Sequence, residues 1–194
     1  AFRRDFTVNA LFYNVADRSV IDYTNGLSDL EARIIRSIGD PNERFQEDPV
    51  RMTRAVALAA RLDFTIDLPI ERAISKHRSE IARSAPPRLL EELYKILRTG
   101  YSEKTFKMLA ERRLLEPIAP TLQRATNASL WRSLKLLDTY RKRFIDTPET
   151  LTNALLLASL LLPLGHTIKT LTSMTSLGKV KQPKPPLSLG MLPI

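Results

Sequence analysis

Arg4 and Asp5 near the start of the chain, and Asp48, Arg51 and Arg54 further on, set carboxylates beside guanidinium groups twice over. Transfer of a nucleotidyl group needs both partners. Carboxylates hold magnesium on a triphosphate, and cations absorb charge on the leaving phosphates. On a helix opening at Asp48, Arg51 lies three residues on and Arg54 six, so helical spacing puts all three on an arc of roughly 120°. They can face one ligand. A carboxylate acceptor with a guanidinium donor complements the pairing edge of adenine, which offers an amino hydrogen at N6 and a lone pair at N1. Cytosine presents the same order of groups, whereas guanine and uracil reverse it. The same residues also carry structural readings: Arg3-Arg4-Asp5 as a surface charge cluster, and Asp48 as a helix N-cap with Pro49 at N1 and an i,i+3 pair to Arg51.

These side chains need helices to aim them. Met52, Ala55, Val56, Ala59 and Leu62 line one face of a helix running from Asp48 to about Leu62. Asp67-Leu68-Pro69 opens a helix through Arg83, and Pro86-Pro87 opens another reaching Leu97-Arg98. Further helices are expected over 102 to 112, 127 to 145 and 148 to 162. Before them, Ser28 or Asp29 opens a helix carrying Leu30, Ile34 and Ile35, which Gly39-Asp40-Pro41 ends. Val20-Ile21-Asp22-Tyr23 reads as a strand entering a turn at Thr24-Asn25-Gly26, while Phe6 to Tyr13 suits a strand or a short helix. The apolar run Ala154 to Leu164 is about half of what spans a bilayer and reads as a buried helix.

The 194 residues carry 30 Lys and Arg against 21 Asp and Glu, a net charge of +9. That excess favours a polyanionic partner, because each neutralised phosphate releases condensed counterions. No cysteine is present, which excludes disulfides, thiolate zinc sites and a thiol nucleophile, and the two histidines are too few for a His-based metal cluster. Any metal would need carboxylates. A reducing cytoplasmic setting is compatible with this, and no membrane partner is expected. Arg132, Lys135, Arg141, Lys142 and Arg143 interleave with Trp131 and Tyr140 on one expected helix, a mix able to bind RNA. The other reading of this helix is a solvated basic face over a core of Leu134, Leu136 and Leu137. His77 reads as exposed, and Arg88 with Glu91 and Glu92 as a brace along its own helix. Residues 166–194 carry Lys179, Lys181 and Lys184 among prolines, the composition of a disordered basic tail.

The run Arg3-Arg4-Asp5-Phe6-Thr7-Val8-Asn9-Ala10-Leu11, with Glu47-Asp48-Pro49-Val50-Arg51-Met52 and Arg54-Ala55-Val56, resembles the bacterial poly(A) polymerases, relatives of the tRNA CCA-adding enzymes. The resemblance covers roughly residues 1 to 165. It implies a mainly α fold: a short β-containing remnant of a nucleotidyltransferase head over 1–30, a helical neck over 31–100 and a helical body over 101–165. It also implies a chain truncated at its start, lacking the head's Gly-rich turn and principal magnesium carboxylates. Activity would be addition of AMP from ATP to RNA 3′ ends when whole and absent from this piece alone, with Mg²⁺ as cofactor. By resemblance Arg4 lies near the nucleotide, Asp5 assists at the metal or ribose, and Asp48 and Arg51 read the base, with Arg54 beside them. One departure is Ala57, where the family usually carries a further Arg; Arg61 lies one turn on. Leu89 to Leu97, Gly100-Tyr101 and Lys107-Met108-Leu109 resemble the polymerase side of the superfamily. CCA addition, and a non-catalytic helical RNA-binding module, remain the alternatives.

Overall fold

Short strands near the amino end give way to helices that carry most of the chain, and the computed structural model describes residues 1–147 and 150–165. The basic tail expected over 166–194 lies outside the described residues. Thr7–Asn9 forms one 3₁₀ turn. Strands β1 (Phe12–Tyr13) and β2 (Val20–Ile21) pair antiparallel, Phe12 opposite Ile21. Helix α1 spans Gly26–Ala32 and is started by Asp22, whose carboxylate accepts the amides of Thr24, Gly26 and Leu27 at 2.9 to 3.0 Å.

Ile34 and Ile35 do not continue that helix. Arg33 takes a left-handed φ of 56°, which ends α1, and Ile34–Ile35 becomes β3, parallel to β4 (Thr65–Ile66). Parallel strands require a crossover, and here it consists of α2 (Pro41–Glu47) and α3 (Val50–Leu62). Helix α2 follows from Asp40, whose side chain accepts the Asn42 amide, and from Pro41 at the first helical position. Its single buried residue, Phe45, gives it no visible apolar stripe.

Helix α4 (Leu68–His77) tightens into a 3₁₀ segment over Arg78–Arg83, so the α-helix expected through Arg83 ends six residues early. α5 (Pro86–Leu97), α6 (Ser102–Glu111) and α9 (Ala128–Arg143) follow the expected spans closely, whereas α10 (Asn153–Leu161) begins five residues after the start expected at 148. Between them lie two short helices, α7 (Leu115–Ile118) and α8 (Pro120–Arg124). One apolar cluster joins Phe6, Ile35, Met52, Val56, Leu97, Phe106, Leu134 and Leu160, and so crosses residues 30 and 100 without a break.

His77 is buried, contrary to expectation: it sits where α4 meets α2, its Nε2 3.1 Å from Asn42 Oδ1. Flanking Lys76 is exposed and Arg78 half-buried, and their charge gave the misleading signal. Leu136, by contrast, is 62% exposed, while Leu134 and Leu137 are core. Among the described residues, no helix is long and apolar enough to cross a membrane.

Candidate functional site

Asp5 is fixed by its neighbours before its side chain makes any contact. Phe6 is 2% exposed within the core, Thr7 donates its amide to Arg36 O, and Asp5 O accepts from the Ile38 amide at 3.1 Å. The carboxylate is thereby aimed at the first turns of α3. Asp5 Oδ1 accepts from Arg51 Nε at 2.9 Å, and Oδ2 accepts from Arg54 Nη1 at 2.8 Å. Residues 46 and 49 positions apart thus meet in one bridge.

The bridge extends in both directions. Arg51 Nη1 donates to Glu47 Oε2 at 2.8 Å and to Arg44 O at 2.9 Å, closing the end of α2. Arg54 also lies 3.5 Å from Glu92 of α5 and 3.9 Å from Asp48. Asp48 Oδ2 accepts from Arg88 Nη2 at 2.6 Å, and Oδ1 accepts the Val50 amide at 3.3 Å. Asp48 thus holds an amide beside the start of α3, but it ends α2 and the N-cap of α3 falls on Pro49, one residue later than expected, and Asp48 pairs with Arg88 and Arg54 rather than with Arg51. Arg88 and Glu92 brace neighbouring helices rather than their own: Arg88 binds Asp48 and Glu92 binds Arg54, besides its i,i+3 pair to Lys95.

Burial alone would lower the Arg54 pKa, but the Asp5 hydrogen bond and the charges of Glu92, Asp5 and Asp48 outweigh it and raise it. Glu47 is held below the usual carboxylate range, chiefly by its hydrogen bond from Arg51. This is an ion-pair lattice with alternating signs, in which each group stabilises its neighbour's charge.

The lattice borders a hollow of about 190 Å³ lined by Asp5, Arg54, Ala57, Arg61, Glu92 and Lys95, among others. Small-molecule sites run to about 300 Å³ and above, so the hollow holds part of a nucleotide at most. Ala57 opens space in its wall where an arginine would fill it, and Arg61 lines the same wall one turn on. Asp48 and Arg51 stand beside this hollow without lining it. Arg4 joins the lattice only through its carbonyl, which accepts from Arg44 Nη2 at 3.0 Å, and its guanidinium is exposed. For Mg²⁺ the donors do not fit: the acids around Asp5 are spread among guanidinium groups, and among the described residues no three His, Asp or Glu side chains converge on a point.

The basic residues of α9 separate by face. Arg141 is turned inward onto the carbonyls of Arg98, Phe144 and Ile145 at 3.0 to 3.3 Å, which ties off the helix end. Lys135 and Lys142 face α6 across a hollow containing Tyr101, while Arg132 and Arg143 are exposed elsewhere on the helix. Tyr140 packs on Phe144, ring centroids 4.6 Å apart. Spacing in the sequence missed Arg88 and Glu92 as partners of the lattice, since their contacts cross from one helix to another. Only the Arg88-Glu91-Glu92 clustering of charge hinted at them.

Two family models match the chain. A poly A polymerase head domain matches residues 1–36, and a probable RNA and SrmB-binding site of polymerase A matches residues 63–126. Poly(A) polymerase I of Escherichia coli O6:H1 is 45% identical over 124 residues, 64% of this chain and 27% of that protein. A CCA-adding enzyme of Pediococcus pentosaceus is 48% identical over 95 residues, 49% of this chain and 24% of that protein. The chain thus spans about a quarter of the length of these curated relatives. A crystal structure of a tRNA nucleotidyltransferase complexed with a primer tRNA and an incoming ATP analog superposes with a TM-score of 0.61 at 28% identity, over 82% of this chain and 48% of that one. The Bacillus stearothermophilus CCA-adding enzyme in complex with CTP shares the fold, with a TM-score of 0.58 at 24% identity over 90% of this chain and 44% of that one. With the Asp5 segment falling in the head-domain match and both classes of relative aligning, the chain belongs to the class II poly(A) polymerase and CCA-adding nucleotidyltransferase family.

Proposed function

We propose that this chain is the nucleotide- and RNA-binding part of a template-independent RNA nucleotidyltransferase that adds AMP from ATP to RNA 3′ ends in the cytoplasm. The observation that carries the reading is the Asp5 bridge, which draws the amino-terminal Arg-Arg-Asp run onto the helix bearing Asp48, Arg51 and Arg54. Asp5 then acts by orienting two guanidinium groups. Arg54 presents positive charge to phosphate at the edge of the hollow, with Arg61 beside it and Arg4 free to reach the nucleotide. Asp48 accepts from the amino group of the incoming base while Arg51 donates to the adjacent ring nitrogen. Arg88 need not leave for this, because each carboxylate oxygen has two lone pairs and a base adds to the bond already made.

Metal-holding carboxylates come from outside the residues described, so the chain alone binds without catalysing. Isothermal titration of the four nucleoside triphosphates tests the base reading. ATP and CTP bind more tightly than GTP and UTP, and Asp48→Ala and Arg51→Ala each erase the difference; equal binding of all four refutes it. CCA addition is the second reading, favoured by the 48% identity to the Pediococcus enzyme. In the whole enzyme, incorporation of CTP into tRNA lacking its end selects that reading, and ATP-only extension of an RNA primer selects polyadenylation. Robust primer extension by the 194 residues alone overturns the division of labour.

A further inference from the structure

Helices α9 and α10 pack side by side and leave between them an open groove of about 370 Å³. α9 lines it with Ser133, Leu136, Leu137 and Tyr140, and the opposite wall repeats the same i, i+3, i+4, i+7 spacing from Leu155 to Leu162. That spacing is the stripe by which a helix meets its neighbours, so two such stripes side by side form a seat for a third helix. Leu136, Leu155 and Leu162 are 62%, 39% and 47% exposed on its rim, and one turn beyond Tyr140 the exposed Phe144 and Ile145 extend the apolar surface. The floor is closed to polar ligands. Ser133 Oγ donates to Ser159 O at 2.8 Å and Ser159 Oγ to Leu156 O at 2.7 Å, so both hydroxyl protons are committed inside the fold.

The bank outside Leu136 is cationic. Arg132 lies four residues before it and Arg143 seven after, which places all three on one stripe of α9 roughly 16 Å long. Both arginines are exposed, Arg143 resting 5.7 Å over the Phe144 ring, and among the described residues neither pairs with a carboxylate. The one acid of α9, Asp138, is buried and holds the Ser102 and Glu103 amides at 2.7 and 2.9 Å. Across the groove α10 carries no charged residue. Positive charge therefore edges the apolar seat along one side only.

We infer that this groove docks an amphipathic helix of a separate, acidic protein, with its apolar stripe on Leu136, Leu155 and Leu162 and its carboxylates along Arg132 and Arg143. Charge decides among occupants. Residues 166–194 contain no Asp or Glu and cannot supply the acidic bank, and a net charge of +9 weighs against a second copy of this chain. RNA is disfavoured because the hydroxyls of the floor are committed and the Tyr140 ring is taken by Phe144, centroids 4.6 Å apart. The groove also lies outside residues 63–126, the stretch matched by the RNA and SrmB-binding model, and apart from the Asp5 lattice.

The probe is a fluorescein-labelled synthetic helix with leucines at the groove's own spacing and glutamates on the flanking positions, compared with the same peptide carrying lysine for glutamate. Anisotropy is followed as the full chain is added. The acidic peptide binds saturably and the lysine peptide does not. Leu136→Gln weakens binding by roughly ten- to a hundredfold, the loss expected for one apolar side chain buried on docking; its exposure in the free chain leaves the circular dichroism unchanged. Arg132→Glu with Arg143→Glu inverts the preference, so that the lysine peptide binds and the acidic one does not, a result that unfolding does not produce. Asp48→Ala leaves peptide binding unchanged, which separates this groove from the nucleotide site. Absence of binding, equal binding of both peptides, displacement by oligoriboadenylate, or a dimer in sedimentation that Leu136→Gln dissociates overturns the inference.

Discussion

Replacing Asp5 with Asn removes the charge at the centre of the lattice while preserving its shape. Two charge-assisted hydrogen bonds are affected, and at about 1.5 to 3 kcal/mol each they set a ceiling near 6 kcal/mol. Several contacts reduce that figure. The Asn carbonyl still accepts from one guanidinium, although its amide now turns a donor toward the other. Arg51 retains Glu47 and the Arg44 carbonyl, and Arg54 retains Glu92 and Asp48 at longer range. Asp5 and Arg51 side chains are only 15% and 14% exposed, so water does not replace what is lost. The balance is about 2 to 3 kcal/mol, which for a chain of this size lowers Tm by about 4 to 12 °C. Circular dichroism melts of the wild type and Asp5→Asn measure it. A double-mutant cycle with Arg54→Met isolates the pair and returns a coupling of about 1 kcal/mol or more. A Tm change under about 2 °C, or a coupling of zero, refutes the assignment of Asp5 as the hub.

Two further outcomes follow from the packing and the caps. Gly26→Ala places a Cβ 2.4 Å from Thr7 O, a backbone atom that cannot swing aside, so stability falls by about 1 to 3 kcal/mol in urea unfolding; an unchanged midpoint contradicts the close approach. Asp22 is held below the ordinary carboxylate pKa first by the Leu27 amide and then by Thr24, and Asp40 first by the Asn42 amide. Because their folded pKa lies below the unfolded value of about 3.9, their contribution is complete above that pH and lost as pH falls through the depressed folded value. Tm is therefore level from neutral pH to about pH 5 and drops on further acidification, and Asp22→Asn flattens the drop; an identical acid profile in that variant contradicts the cap.

Helices with a strong apolar face or a proline start were legible in the sequence, as α3, α5, α6 and α9 illustrate. Elements without periodicity were not. β3 is two residues long, and Ile34 and Ile35 continue the spacing of Leu30 well enough to read as helix until Arg33 turns left-handed. α2 carried its signal in Asp40-Pro41, a cap followed by a first-position proline, which also reads as the end of what precedes it. At the candidate site, residue types and the family resemblance selected Asp5, Asp48, Arg51 and Arg54, all of which enter one lattice. Their mutual geometry was not legible, because Asp5 with Arg51 and Asp48 with Arg88 are joined over 46 and 40 residues. The burial of His77 depended likewise on Asn42, 35 residues away.

The parallel pairing of β3 with β4 has a kinetic consequence. Its ladder and the adjoining Arg36 to Asp67 bond join positions 31 apart, with α2 and α3 strung between them. Ends that distant meet only after chain-closure entropy has been overcome, so this contact forms late relative to the local helices. Until it closes, α3 exists as a helix without an address, and the amino-terminal carboxylate has nothing fixed to bind. The lattice, which joins Asp5 to Arg51 and Arg54 across 46 and 49 positions, therefore depends on this same long-range closure.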